Sequence, residues 1–395
     1  MSQRICSTIL LLTILGTLSV SAQVFRDQKF RDIAQKGMEL MYQQAHDEAQ
    51  KTLDELKMLY PDHPGPYFLL ATNRWWQSYM STTSMYHEYI ADHLNQALEL
   101  NKQFAKKEET YLEYTFFQYM CHAFKTRLHT LRREWWSAAN QGRKALPYIS
   151  DCIDLAQESP EFYFSAGIYH YYAESYPAEH PYIRPLMIFF PDGSAEKGLD
   201  EMEKAASEPN FTQIESMYYL VDVYIYWEKD FDKAIQLSQK LYQRFPQNTW
   251  FKAEYIRSLI FGGYYEQAKP LLEEVIQQFE SIQGYDSRHI HAGESKYTAK
   301  LMIRIYHYQG LYQLWKENNY HSALEKFRKS LHQADLAQLE AFAYLPANHY
   351  FMGVSYDFLQ LRDQARASFK SVLELEENEV FVKRAKACLN SPCYE

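Results

Sequence analysis

The chain has 395 residues, 47% of them hydrophobic, with 41 Lys and Arg against 50 Asp and Glu and a formal charge of -9. That length supports a large core or a long array with a continuous one, while 13 Gly and 14 Pro are too few for a loop-rich all-β protein. The negative balance, with no long run of Lys or Arg, gives no footprint for nucleic acid and by itself disfavours an anionic membrane surface.

The first segment reads "MSQRICSTILLLTILGTLSVSAQ". Arg4 precedes a short apolar run, Ile9 to Leu18, and Val20-Ser21-Ala22 supplies small residues, so residues 1–22 are expected to be a signal peptide cleaved before Gln23. The run is too short to span a bilayer comfortably, and no later stretch of about 18 apolar residues appears. Cys6 lies ahead of the apolar run, which does not suit a lipoprotein attachment site. The expectation is a periplasmic or secreted protein that is not integral to a membrane.

From residue 28 the apolar spacing is helical. "FRDIAQKGMELMYQQ" and "DEAQKTLDELKMLYPDHP" form a first hairpin that ends at Pro61. Residues 64–159 are helical but irregular, with long helices around "YFLLATNRWWQSYM" and "TYLEYTFFQYMCHAF". "PEFYFSAGIYHYY" opens another hairpin, which an insertion over 174–197 interrupts. Pro177, Pro181, Pro185 and Pro191 exclude a regular helix there, and Leu186, Met187, Ile188, Phe189 and Phe190 form an apolar run within it. Next come "DFDKAIQLSQKLYQRFP" and "GYYEQAKPLLEEVIQQFE", in which Phe231 and Ala234 stand 34 residues before Tyr265 and Ala268. A connection over 281–296 precedes two further hairpins, and residues 378–395 read as a capping helix and tail. Cys121, Cys152, Cys388 and Cys393 remain after cleavage, and the last two are close enough in sequence to clip the tail.

This pattern resembles the tetratricopeptide repeat. The residues that carry the likeness are Met352-Gly353, Tyr356, Ala365 and Phe369 in the last hairpin and Gly37, Leu40, Ala49 and Pro61 in the first. Between them stand Tyr218, Ala234, Leu241 and Pro246, then Leu259, Ala268 and Leu272, then Tyr320, Ala323 and Phe327 with Gly310 one residue out of register. Tyr163, Ala166 and Gly167 match in the interrupted hairpin, although His170 stands where Tyr is usual. Small residues let paired helices approach, and large ones fill the groove to the next repeat. The resemblance implies an all-α, right-handed superhelix of stacked antiparallel hairpins over 23–377, degenerate across 64–159.

No His-Glu-x-x-His, phosphate-cradling glycine loop or Gly-x-Ser-x-Gly elbow is present. His87, Glu88 and His93 are spaced off a common helix face. His170 and Glu174 share a face and suit a structural hydrogen bond. His289 and His291, with Glu294, are weak metal candidates. No catalytic residue and no cofactor is expected.

The resemblance also places residues on the concave groove: Tyr42, Phe164, Tyr171, Tyr172, Tyr219, Tyr226, Trp227, Trp250, Phe261, Tyr350 and Phe358. The Lys and Asn that clamp a peptide carboxylate in one family subtype are lacking. Two arrangements are open: an aromatic binding surface, or rings packed as core. The function expected is a non-catalytic exported scaffold holding a peptide or protein partner. A carbohydrate-binding protein of an envelope uptake system is the alternative, and a metal-dependent enzyme built on the His289 loop the third.

Overall fold

The computed structural model describes residues 25–393, except 82, 106–109, 180–183, 185–190, 281–293, 340–342 and 376–378. Among these residues every regular element is helical. The helices are α1 (Gln28–Tyr42), α2 (His46–Leu59), α3 (Pro64–Ser81), α4 (His87–Asn101), α5 (Tyr111–Leu131), α6 (Trp135–Ala145), α7 (Ile149–Leu155) and α8 (Tyr163–Glu179). After the insertion come α9 (Ala195–Ser207), α10 (Gln213–Val223), α11 (Phe231–Arg244), α12 (Thr249–Phe261) and α13 (Tyr265–Glu280). Then follow α14 (Glu294–Trp315), α15 (Tyr320–Leu336), α16 (Tyr344–Phe358), α17 (Arg362–Leu375) and α18 (Glu379–Asn390). Consecutive helices pair and stack, which makes the chain an α-solenoid.

Local chemistry sets the ends. Asp27, Ser194, Asp230, Asn248 and Asn319 each accept a backbone N–H from the first turn of the helix they open. The turns inside six hairpins share one device. Gln44, Arg133, Lys229, Gly263, Asn318 and Gln360 all have positive φ, and each stands two residues before the second helix of its pair. In four of these turns the residue after the positive-φ position donates its N–H back five residues, as from Leu361 to the Tyr356 carbonyl at 2.9 Å and from Glu134 to that of His129 at 2.9 Å. The α5/α6 pair, inside the irregular stretch, is therefore built like the regular repeats.

Close helix approach follows the small-against-large rule. A Cβ on Gly353 would lie 2.4 Å from Phe369, one on Gly310 2.3 Å from Phe327, and one on Gly37 2.5 Å from Leu53. Gly310 is out of register in sequence because the α14–α15 connection has one residue more than the α16–α17 connection. The extra residue restores the same contact.

The array coils until early and late repeats meet. Asn248 Nδ2 donates to the Tyr42 carbonyl at 2.8 Å, Arg244 pairs with Glu39, and Lys300 Nζ donates to the Tyr79 carbonyl at 2.7 Å. Helices α3 and α12 are thus enclosed on nearly all sides. Helix α8 continues through Pro177 to Glu179, so it reaches further into the proline-rich insertion than the prolines suggest. A proline two residues from a helix end disturbs only its last turn. Leu186, Met187, Ile188, Phe189 and Phe190 lie outside the described residues.

Candidate functional site: an aromatic wall over a buried charge cluster

Helix α10 does not end as an α-helix. Tyr224–Glu228 form a π turn, closed by left-handed Lys229. Such a turn adds a residue per bond and re-aims the side chains that follow. Tyr226 emerges 48% exposed, while Trp227 remains half-buried.

Two runs of ring contacts leave this point. The Tyr226 centroid lies 6.1 Å from Phe261, Phe261 lies 5.8 Å from Trp315, and Trp315 lies 5.7 Å from Phe351. In the other direction Trp227 lies 5.4 Å from Tyr172, Tyr172 lies 6.1 Å from Tyr219, and Tyr219 lies 5.9 Å from Phe164. These edge-to-face contacts join α8, α10, α12, α14 and α16 into one wall.

Beneath Tyr226 sits a set of charges. The Arg257 guanidinium lies 5.5 Å from the ring, and its Nη1 donates to the Tyr226 hydroxyl at 3.4 Å. Arg257 Nη2 is 2.5 Å from Asp222 Oδ1 and 2.5 Å from Glu254 Oε2. The second Glu254 oxygen is 2.7 Å from Arg304 Nη2, and Arg304 lies 4.3 Å over Trp250. Desolvation opposes the Arg257 charge, but Asp222 and Glu254 outweigh it and hold its pKa well above the ordinary value. Lys300, at the far end, is pushed down to about 7, first by burial and then by Arg304.

Asp222 has a double character. Desolvation raises its pKa from the usual carboxylate range, yet 49% of its side chain is reached by solvent. Asp222 and Tyr226 are both reached by solvent, and Arg257 is buried beside them.

The sequence-derived groove residues divide. Tyr42, Phe164, Tyr171 and Trp250 are core side chains, because coiling brings the inner helices into contact. Tyr42 packs 5.7 Å from Trp76, Tyr171 donates to Glu228 Oε1 at 2.5 Å, and Trp250 Nε1 donates to Tyr218 at 3.1 Å. Tyr350 is wedged against Phe381 at 5.4 Å, and Phe358 stacks on Tyr320 at 4.7 Å. Tyr172, Tyr219, Tyr226, Trp227 and Phe261 meet in the wall. Sequence reasoning missed Asp222, Glu254, Arg257, Arg304 and Trp315. A signal existed: "TWFKAEYIRSLIF" carries Lys252, Glu254 and Arg257 inside a helix buried all round, where charges must pair.

Other motifs resolve into structure. His170 Nδ1 lies 2.6 Å from Glu201 Oε2 rather than against Glu174, whose carboxylate instead accepts the Ala195 N–H at 2.6 Å and caps α9. His93 stacks on Tyr89 and Glu88 pairs with Arg132. Cys388 and Cys393 are disulfide-bonded; Cys121 and Cys152 are buried thiols whose pKa burial raises. His289 and His291 lie outside the described residues, and Glu294 is the first residue of α14. Among the described residues no group of three His, Cys, Asp or Glu is placed to hold a metal, and no helix is long and apolar enough to cross a membrane.

With this geometry in view, comparison with known proteins places the repeats. Residues 228–283, from the π turn through α13, match the tetratricopeptide repeat family model. No curated protein matches the chain. Among solved structures the chain is similar to a human IFIT1 dimer with PPP-AAAA at 11% identity, covering 84% of this chain and 69% of that one, TM-score 0.39. It is also similar to the C-terminal part of a TPR repeat-containing protein from Cytophaga hutchinsonii at 14% identity, covering 89% and 98%, TM-score 0.27. The described helices form a solenoid in which residues 228–283 carry tetratricopeptide repeat sequence, a repeat associated with protein-interaction scaffolds.

Proposed function

We propose that the chain is a non-catalytic, exported binding protein that holds an extended segment of a partner protein against the solvent-reached face around Asp222 and Tyr226. The observation that carries this reading is the exposure of Tyr226 and Asp222 beside a wall of rings. Tyr and Trp give rigid contact area with a polar tip and lose little entropy on binding. A photo-crosslinking amino acid at Tyr226 tests it, with one at exposed Lys370 on α17 as control. Capture of one partner from Tyr226 and not from Lys370 supports the reading; equal capture from both, or none, overturns it.

Export rests on the leader at residues 1–22. Mass spectrometry of the mature N-terminus, expected at Gln23, tests that separately.

One observation favours a second ligand class. Asp222 offers an acceptor beside the exposed Tyr226 ring, a pair that suits a sugar hydroxyl with a ring face stacked above. Glycan-array binding that Asp222→Asn and Tyr226→Ala both abolish would move the assignment to a carbohydrate.

A further inference from the structure

The overall charge of -9 conceals an uneven distribution. Between residues 114 and 150 the chain has six Lys and Arg and one acidic residue, Glu134. At the centre of this stretch stand Trp135 and Trp136, 64% and 91% exposed. An indole so bare is unusual on a protein otherwise crowded with buried rings.

Helix α6 explains the exposure. It buries Ala138, Gln141 and Ala145 at helical spacing, and it packs on α5. Trp136 points almost directly away from that strip, and Arg143, two turns along, shares its face. Lys144 is exposed beside it. Arg127 and Arg132 are taken up by Glu215 and Glu88. Arg143 donates to Asn140 on its own helix, and neither Arg143 nor Lys144 has an acidic partner among the described residues.

We propose that the outer face of α6 is a docking surface for an anionic phospholipid bilayer. Trp135 and Trp136 seat at headgroup depth, where an amphipathic ring is stable, and Arg143 and Lys144 engage the lipid phosphates. The charge pattern argues for this occupant. A cationic patch on an anionic body is drawn to an anionic surface in one orientation, with the patch leading and the body held off. The attachment is peripheral, since no described helix can span the bilayer.

The test is flotation of the full chain with phosphatidylglycerol–phosphatidylcholine vesicles and with pure phosphatidylcholine vesicles. Binding is expected to the anionic vesicles, weakened by salt. The double variants Trp135→Ala/Trp136→Ala and Arg143→Glu/Lys144→Glu should each reduce it by about tenfold or more. The substituted side chains are exposed, so unchanged thermal unfolding shows that the fold is intact, and Tyr226→Ala should bind vesicles as the parent does. No vesicle binding, binding independent of anionic lipid, or binding that both double variants retain would overturn the proposal. So would a soluble protein captured through this patch while vesicles are ignored.

Discussion

The Arg257 guanidinium is shared by two carboxylates, 2.5 Å from Asp222 and 2.5 Å from Glu254, directly under a tyrosine that solvent reaches. Arg257 and Tyr226 touch, yet the two residues should answer to different measurements. Arg257→Met leaves buried Glu254 with Arg304 as its remaining partner, and removing one partner of a buried pair costs up to about 3–5 kcal/mol, while Asp222, half reached by solvent, adds little. Tyr226→Ala removes a half-exposed ring and should cost about 1 kcal/mol or less. Urea unfolding of both variants checks the contrast. Partner capture should fall in Tyr226→Ala while its unfolding midpoint barely moves; a Tyr226→Ala protein as unstable as Arg257→Met would make the ring a structural element.

Gly353→Ala should destabilise the last repeats. The added Cβ would lie 2.4 Å from Phe369, a ring fully buried between α16, α17 and α18. Overpacking of this kind costs about 1–3 kcal/mol. Combining Gly353→Ala with Phe369→Leu should recover part of the loss, because the smaller side chain gives the methyl room. Denaturation of the single and double variants decides it, and strictly additive losses would rule out the contact as the cause.

The left-handed turns allow a prediction of opposite sign. Gln44 and Gln360 hold φ of 67° and 60°, where a side chain is strained. Gln360→Gly should raise stability by up to about 1 kcal/mol, and Gly263→Ala should lower it by a similar amount. Thermal unfolding is the measurement, and loss of stability in Gln360→Gly would show that its side chain contributes more than the backbone strain costs.

These turns also explain what could be read from the chain and what could not. The repeat was legible where small and large residues recur, as at Ala234 and Ala268, because that spacing reflects helix packing directly. The α5/α6 hairpin was hidden because, counted from Arg133, Thr126 stands where Gly353 stands before Gln360 and Gly142 where Phe369 stands after it, so the small-against-large pair is missing. Residues 64–81 looked irregular because α3 is enclosed from several sides, so its apolar residues form no single stripe. The aromatic wall was half legible. The resemblance to the tetratricopeptide repeat placed Tyr172, Tyr219, Tyr226 and Trp227 on the groove, but it also chose Tyr42 and Trp250, which coiling of the array buries. Contacts between residues some 200 positions apart, such as Tyr42 with Asn248, leave no local pattern to find.

Glu161 should make stability depend on pH between about 5 and 7. Its side chain is 2% exposed; Oε2 accepts the Phe211 N–H at 2.7 Å, Oε1 has no hydrogen bond, and Arg31 is 3.6 Å away. Burial outweighs those contacts and raises the carboxyl to about 7 from 4.5. A carboxyl that holds its proton more tightly when folded favours the folded state below its unfolded pKa, and loses that advantage as pH rises through the folded value. The ionised form should therefore cost up to about 3 kcal/mol above neutrality. His307, pushed down to about 4 by burial, acts in the opposite direction, losing stability as acid is added. The two can cancel in the parent protein. Glu161→Gln separates them: it should be more stable than the parent at pH 8, equal near pH 4.5, and should show the full acid loss that His307 imposes. Unfolding midpoints for both proteins across that range are the check, and parallel pH profiles would exclude Glu161 as a titrating group.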